Sequence, residues 1–379
     1  MDNFLDTPLE KIFKWCGTIF RPTVKLGESE TIEPFLLCEP KKRIGIEVEV
    51  EGLRDIPSNL HREFWDTASD GSLRNGGVEF VSRALAGREI VVAVENLFRV
   101  LPKSADFSER TSIHVHVNIR EQTVGQLLTV LLLYVTFERL LYQFAGAQRV
   151  QNIFCVPVQE TRYPYVLSDA LIHQSIPELT KKWRKYSGLN LRRMTDLGTL
   201  EYRQMEGHRD TQRLLNWINI ILRMHRYTRR HSFLRVYEEI KMLNTSSMYE
   251  QYTRTVFGTD ADILMGSFDV KNMLEVGVTT AKHISIPSPF FHSLLDEMSE
   301  AANLLKGLEI SLDARNKQPT KIPKMMSLDE WAQVEEGTPL RVNLHTGVHH
   351  IPNSFTTVTD INSDELAGLF TSAFARPRS

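Results

Sequence analysis

The stretch Arg43-Ile44-Gly45-Ile46-Glu47-Val48-Glu49-Val50-Glu51 decides how the chain reads. Successive side chains of an extended segment point to opposite faces, so Ile44, Ile46, Val48 and Val50 share one side and Glu47, Glu49 and Glu51 the other. The alternation predicts a half-buried strand with an acidic second face. Residues two apart on such a face stand roughly 6.6 Å apart, so neighbouring carboxylates can lean on one cation or serve two adjacent ones. Without cations each ionised carboxylate disfavours ionisation of the next. Alone, a Glu-x-Glu pair is most often the solvated face of an edge strand. Its meaning depends on what else shares its sheet.

Three further segments repeat the pattern. Val78-Glu79-Phe80-Val81-Ser82 is extended, Ile113-His114-Val115-His116-Val117-Asn118 puts two imidazoles opposite an apolar face, and Thr199-Leu200-Glu201-Tyr202-Arg203 places Glu201 and Arg203 on one side. Combined in one antiparallel sheet with helices on the apolar side, they predict an α+β fold and a cavity lined by acids and histidines. The donors are mostly oxygen, which suits Mg²⁺ or Mn²⁺ with ATP phosphates completing the shell, while the imidazoles also admit zinc. Arginines favour the phosphate reading, because phosphoryl transfer relies on cations around developing charge. Arg203, Arg149 and Arg110 are the candidates.

Each motif has an ordinary explanation when taken singly. His-x-His on a strand is more often structural than metal-binding, and Asp70-Gly71-Ser72 is most often a turn. The basic run Lys181 to Arg193 reads as a solvated face partly buried through Tyr186, Leu189 and Leu191. Their joint occurrence in this order carries the functional reading. The chain has neither a Walker A pattern nor a Gly-x-Gly-x-x-Gly fingerprint, so a nucleotide must be held in another way.

The rest of the chain supplies helices. Asp66 to Asn75 reads as a loop, and Ile90, Val94, Leu97 and Leu101 repeat at helical spacing up to Pro102. Thr123 and Gln126 form a capping-box pattern before a long apolar helix ending near Gly146, which reads as a core element. Asp210 opens a predicted helix reaching about Leu243, with Leu214, Ile218, Ile221 and Met224 on its buried stripe. Beyond Asn244 the pattern weakens, although Ser288-Pro289 starts a predicted helix toward Leu312. A linker from Asn316 to Lys324 precedes a short capped helix from Ser327 and Glu330 to Gly337, and the last forty residues lack periodicity. The expected organisation is an N-terminal extension over 1–40, a catalytic domain over 41–243, a mainly helical extension over 244–325, and a short helix with a loose tail over 326–379.

The chain has 379 residues, 42% hydrophobic and 24% charged, with a formal net charge of -2. That balance creates no global field for nucleic acid or an anionic membrane. Cys16, Cys38 and Cys155 are too few and scattered for a disulfide framework or thiolate zinc site, so a reducing, cytoplasmic location is expected. The N-terminus lacks the basic and apolar regions of a secretory signal. The apolar run Leu127 to Phe137 falls short of the roughly 20 residues that cross a bilayer, and no membrane span is expected.

Order and spacing of these blocks resemble the predicted amidoligases, a family of glutamine synthetase-like carboxylate-amine ligases. The matching blocks are Gly45 to Glu49, Asp70 to Leu73 with Gly77-Val78-Glu79, His114 to Val117, Arg149 to Pro157, Lys185-Tyr186 with Leu189-Asn190-Leu191, and Thr199 to Arg203. The resemblance covers roughly residues 43–240. It implies a glutamine synthetase-like antiparallel sheet with a metal-binding polar face. It also implies Glu47, Glu49, Glu79, His114 and Glu201 as ligands of Mg²⁺ or Mn²⁺ ions bridging ATP phosphates, with Arg203 and Arg149 as phosphate or acyl-phosphate contacts. Asp70 would orient or deprotonate the amine, and Arg110, His116, Asn152, Lys185 and Asn190 would contact ATP or substrate. Glu51, outside the family motif, reads as a rim residue.

The implied reaction transfers the γ-phosphoryl group of ATP to a carboxylate and lets an amine displace phosphate from the acyl phosphate. A lid from Asp55 to Asn75, or from beyond Asn244, is expected to exclude water. The carboxylate and amine are small molecules or peptides, and a homo-oligomer is left open. Two other readings stand beside this one: a zinc-dependent hydrolase using His114, His116 and a glutamate, and a non-catalytic binding protein on the same fold.

Overall fold

The four polar-faced segments do lie side by side in one antiparallel sheet. A computed structural model of the chain describes residues 4–15, 19–23, 26, 42–160 and 162–287, which belong to one compact unit, Met1–Pro287. After a short helix α1 (Leu9–Ile12) come β1 (Ile44–Val50), β2 (Trp65–Ala68) and β3 (Val78–Ser82). Then follow α2 (Arg88–Val100), β4 (Ser112–Asn118), α3 (Val124–Gly146), α4 (Tyr163–His173) and α5 (Ile176–Lys182). Strands β5 (Leu189–Asn190) and β6 (Thr199–Glu206) flank the single turn α6 (Arg193–Asp196). Five helices complete the unit: α7 (Thr211–Tyr227), α8 (Phe233–Met242), α9 (Ser246–Phe257), α10 (Ala261–Met265) and α11 (Val270–Lys282). The fold class is α+β.

The strand order is β2-β3-β1-β4-β6-β5, and its register stacks the chemistry. Glu49 lies opposite Glu79, Glu47 opposite His114, and His116 opposite Glu201, which also faces Asn190. A bulge between β4 and β6 pairs Ile113 with Met205 but Val115 with Tyr202. The extra residue returns Met205 to the buried side while Arg203 stays beside Glu201. Bulges of this kind re-aim a side chain, here a guanidinium.

The apolar face rests on α3, which is hydrophobic around its whole circumference and accordingly buried. Its capping box forms as the sequence predicts, with Thr123 Oγ1 accepting from Gln126 N and Gln126 Oε1 accepting from Thr123 N. By length and composition the helical run Val124–Gln151 could cross a membrane, yet 89% of its apolar window is buried inside the protein. Thr129 and Thr136 do not interrupt it. Their hydroxyls donate to the carbonyls of Gly125 and Leu132 one turn back.

Two expectations need correction. Asp66 to Ala68 is not loop but the end of edge strand β2, anchored by Trp65, whose indole donates to Ala93 O at 3.0 Å. The predicted helix from Asp210 to Leu243 is two helices, because Ser232 leaves the helical conformation and caps α8 by accepting from Arg235 N. Apolar residues resume in phase after the break, which is why periodicity hides it. Where the pattern weakens beyond Asn244, three helices form, with α9 and α11 capped by Thr245 and Asp269. They pack against α3: Phe137 stacks on Tyr252 and meets Phe257 edge-on.

The described part of the N-terminal extension also packs on this body. Leu9 is fully buried and its N–H donates to Gln122 O just before α3. The predicted helices from Ser288 and Ser327, the intervening linker, the tail, Cys16 and Cys38 lie outside the described residues.

Candidate active site

On the polar side of the sheet a cleft of about 470 Å³ is floored by Glu47, Glu49, Glu79, Ser112, His114, Glu201 and Arg203. Glu47 stands at the centre. His114 Nδ1 lies 2.9 Å from its Oε2, and His116 Nε2 lies 3.1 Å from its Oε1. His114 Nδ1 is also 3.4 Å from Glu201 Oε1. Three overlapping trios of donor atoms converge within 4.8 Å: Glu47, His116 and Glu201; Glu47, Glu79 and His114; Glu49, Asp70 and Glu79.

The acidic cluster is held by neighbours. Ser112 donates twice to Glu49 Oε2, from its N–H at 2.8 Å and its hydroxyl at 2.6 Å. With its single hydroxyl proton on that carboxylate, its contact of 2.8 Å to His114 Nε2 must be accepted from Nε2–H. His114 thus sits between Ser112 at its Nε2 and the carboxylates of Glu47 and Glu201 at its Nδ1. Asn190 donates to Glu201 Oε2 at 2.6 Å, and Arg203 Nη1 pairs with Glu201 Oε1.

The electrostatics follow. Burial, and then Glu47, Glu49 and Asp70, push Glu79 up to about 8. Burial works against the charge of Glu47, but His116 and His114 outweigh it and hold the carboxyl well below its usual range. Burial also opposes charge on Glu201, which the two histidines and Arg203 nevertheless keep low. Asp70 meets a smaller burial penalty, and bonds from the Ser72 hydroxyl and N–H lower it. A carboxylate so stabilised can orient an ammonium but is a weak proton acceptor.

These residues fit a divalent cation. The Nε2 of His116 is buried without a hydrogen-bond partner, because its short approach to Glu47 lacks hydrogen-bonding geometry. Both atoms aim at a common third point. Five crowded carboxylates also suit a hard ion better than zinc. The zinc reading required His114 and His116 on one ion, whereas no trio among the described residues contains both.

The remaining expected residues divide by position. Arg149, Arg110 and Lys185 line the cleft, Arg149 buried and the other two exposed. Arg149 donates to Arg203 O at 3.2 Å, and its Nε has no partner. Asn190 lies beneath Glu201 and is fully engaged, also accepting from Arg192 N. Asn152 is not brought into the cleft: its side chain closes a turn by accepting from Phe154 N and donating to Glu109 O. His116 sits toward the far end of the floor, with Nδ1 3.1 Å from Thr199 Oγ1.

Glu51 is no rim residue. It is buried and its Oε1 accepts from Arg74 N at 2.6 Å, which ties the Asp70 loop to β1. Sequence reasoning passed over Ser112, whose place just before the His-x-His strand was the available signal. It also passed over Arg193 as a site residue; its Nε lies 3.8 Å from Glu201 Oε2.

Comparison with known families adds the assignment. Residues 54–225 match the family described as "Putative amidoligase enzyme". Over that segment the chain is similar to the amidoligase family, which supports the resemblance read from its motifs. The matched segment carries Glu79, His114, Glu201 and Arg203 but begins after Glu47 and Glu49. The sheet supplies the connection, since β1 lies between β3 and β4 of the matched amidoligase segment. No curated protein matches the chain. The family description is of an amide-bond-forming ligase, without a named substrate.

Proposed function

We propose that the protein is an ATP- and Mg²⁺-dependent carboxylate-amine ligase on a glutamine synthetase-like sheet. The observation that carries the reading is the joint floor of converging acidic trios and arginines. Glu47, Glu49, Glu79, His114 and Glu201 would hold the cations, which neutralise nucleotide phosphates when bound. Arg203, Arg149 and Arg193 surround the place where phosphoryl charge develops, with Arg110 and Lys185 at the mouth.

A substrate carboxylate oxygen attacks the γ-phosphorus, a P–O bond forms, and the bond to the β-phosphate oxygen breaks with release of ADP. The ammonium gives one proton to solvent, the resulting amine nitrogen attacks the acyl carbon, the C–O bond to phosphate breaks, and the second nitrogen proton passes to the departing phosphate. Asp70, on its loop over the cleft, orients the incoming ammonium. The loop fixed by Glu51 shields the acyl phosphate from water.

Incubation with ATP, Mg²⁺ and pooled carboxylates and amines is expected to yield ADP, phosphate and an amide. Glu49→Gln and Glu201→Gln should each reduce turnover at least ~100-fold with the fold intact. Full activity in both variants, or no nucleotide binding and no ADP from the native protein, would refute the reading.

A further inference from the structure

The polar cleft is one of two cavities that meet at Glu47. The second, about 310 Å³, opens at the other end of the same sheet face. Glu47, Val81, His116 and Thr199 form its floor, and Phe20 and Leu197 stand at its mouth.

The two cavities differ in chemistry. The first gathers five cationic side chains around the acids. In the second, both arginines are already engaged. Arg43 Nη1 donates to Ala84 O and Glu89, and the Arg120 guanidinium donates to Leu197 O from two nitrogens. Apart from Ser82, Asn118 and Thr199, the rest of the lining is largely apolar. Phe20 is 61% exposed and Leu197 46%, and half-buried Val81 on β3 lies directly opposite Glu47 in the ladder. Such a cavity, mostly apolar with a few convergent polar groups, is the usual form of a small-molecule site. At the volume a water occupies in the liquid it holds roughly ten heavy atoms.

Its polar end is specific. His116, only 5% exposed and with its Nε2 3.1 Å from Glu47 Oε1 but outside hydrogen-bonding geometry, converges there with Glu47 and Glu201 as one of the cation trios. A carboxylate entering from this side reaches that cation position while its body stays against Val81, Phe20 and Leu197. A triphosphate finds its countercharges only in the other cavity.

We propose that this second cavity selects the carboxylic acid substrate, and that the acid has an apolar aliphatic or aryl body. The proposal rests on the ligase reading for the acid's role, but its binding is measurable without turnover.

The experiment uses the full chain loaded with Mn²⁺, whose paramagnetism relaxes nearby ligand protons. Hexanoate and phenylacetate are compared with acetate and succinate by ligand-observed NMR. The apolar acids are expected to bind at least ~10-fold more tightly, with their α-protons the most strongly relaxed. Val81→Trp should weaken them by a similar factor and leave Mn²⁺ affinity, read by EPR, essentially unchanged. Leu197→Glu, at the exposed mouth, supplies the same test should Val81→Trp fail to fold. Adenosine should not displace the acids. Equal binding of all four acids, an unchanged preference in the variants, or displacement by adenosine would overturn the proposal. Selective acid binding without ADP formation would sustain the cavity assignment and refute only the ligase reading, whereas absence of Mn²⁺ binding would overturn both.

Discussion

Glu79 faces Glu49 across the β1–β3 ladder, with Glu47 and Asp70 also close, and titrates near 8 in the folded metal-free protein against about 4.5 unfolded. Folding therefore takes up a proton between those values. The stability this contributes is complete below the unfolded pKa and is lost as pH rises toward 8. Thermal melts without metal should fall between about pH 5 and pH 8, and Glu79→Gln should flatten that part of the slope. An unchanged profile in Glu79→Gln would contradict the assignment. Ser112 provides the second residue-scale prediction. Ser112→Ala removes the hydroxyl that contacts both Glu49 and His114 and should weaken Mn²⁺ binding about 10–100-fold, while Ser112→Thr retains most of it. Equal affinity in all three proteins, by EPR titration, would contradict it. At this scale the metal-facing acids were legible because strand alternation assigns faces directly. Ser112 and Glu51 were not, because their roles depend on register and loop closure: which oxygen faces Ser112, and which amide returns to Glu51.

Elements show the same division between local and tertiary information. Alternation and capping located β1, β3, β4, β6 and both ends of α3, since those signals are carried by neighbours in sequence. The break between α7 and α8 was hidden because Phe233, Val236 and Ile240 continue the apolar spacing. The packing of α11 was equally silent. Gly277 brings α11 so close that an added Cβ would stand 2.4 Å from the carbonyl oxygens of Val135 and Thr136 on α3. Gly277→Ala should therefore lower stability by about 1–3 kcal/mol in denaturant titrations, even though alanine favours an isolated helix. Unchanged or higher stability would mean that the two helices do not meet at this point. The Glu51 anchor gives a prediction for the loop. Glu51→Ala leaves Arg74 N without its charged acceptor and should cost about 1.5–3 kcal/mol. Faster amide exchange across residues 70–77 would accompany the loss, and unchanged exchange would contradict the anchoring role.

At the scale of the molecule, one face of one sheet separates two tasks. The helices bury its apolar side, and the register brings acids from three strands and histidines from a fourth to a common floor. Its polar side then divides at Glu47 into a cation-rich cleft and a more apolar one. Sequence order suggested the floor, while the second cavity emerged only from tertiary packing that brings Phe20, Val81 and Leu197 to one lining. The central claim is that this floor binds divalent cations together with nucleotide phosphates. It is tested most directly by EPR titration of Mn²⁺ into the native protein and Glu201→Gln, with and without a nonhydrolysable ATP analogue. The account predicts binding of more than one Mn²⁺ per chain, strengthened at least ~10-fold by the analogue and lost in Glu201→Gln. Mn²⁺ binding that ignores both the analogue and the substitution would contradict it.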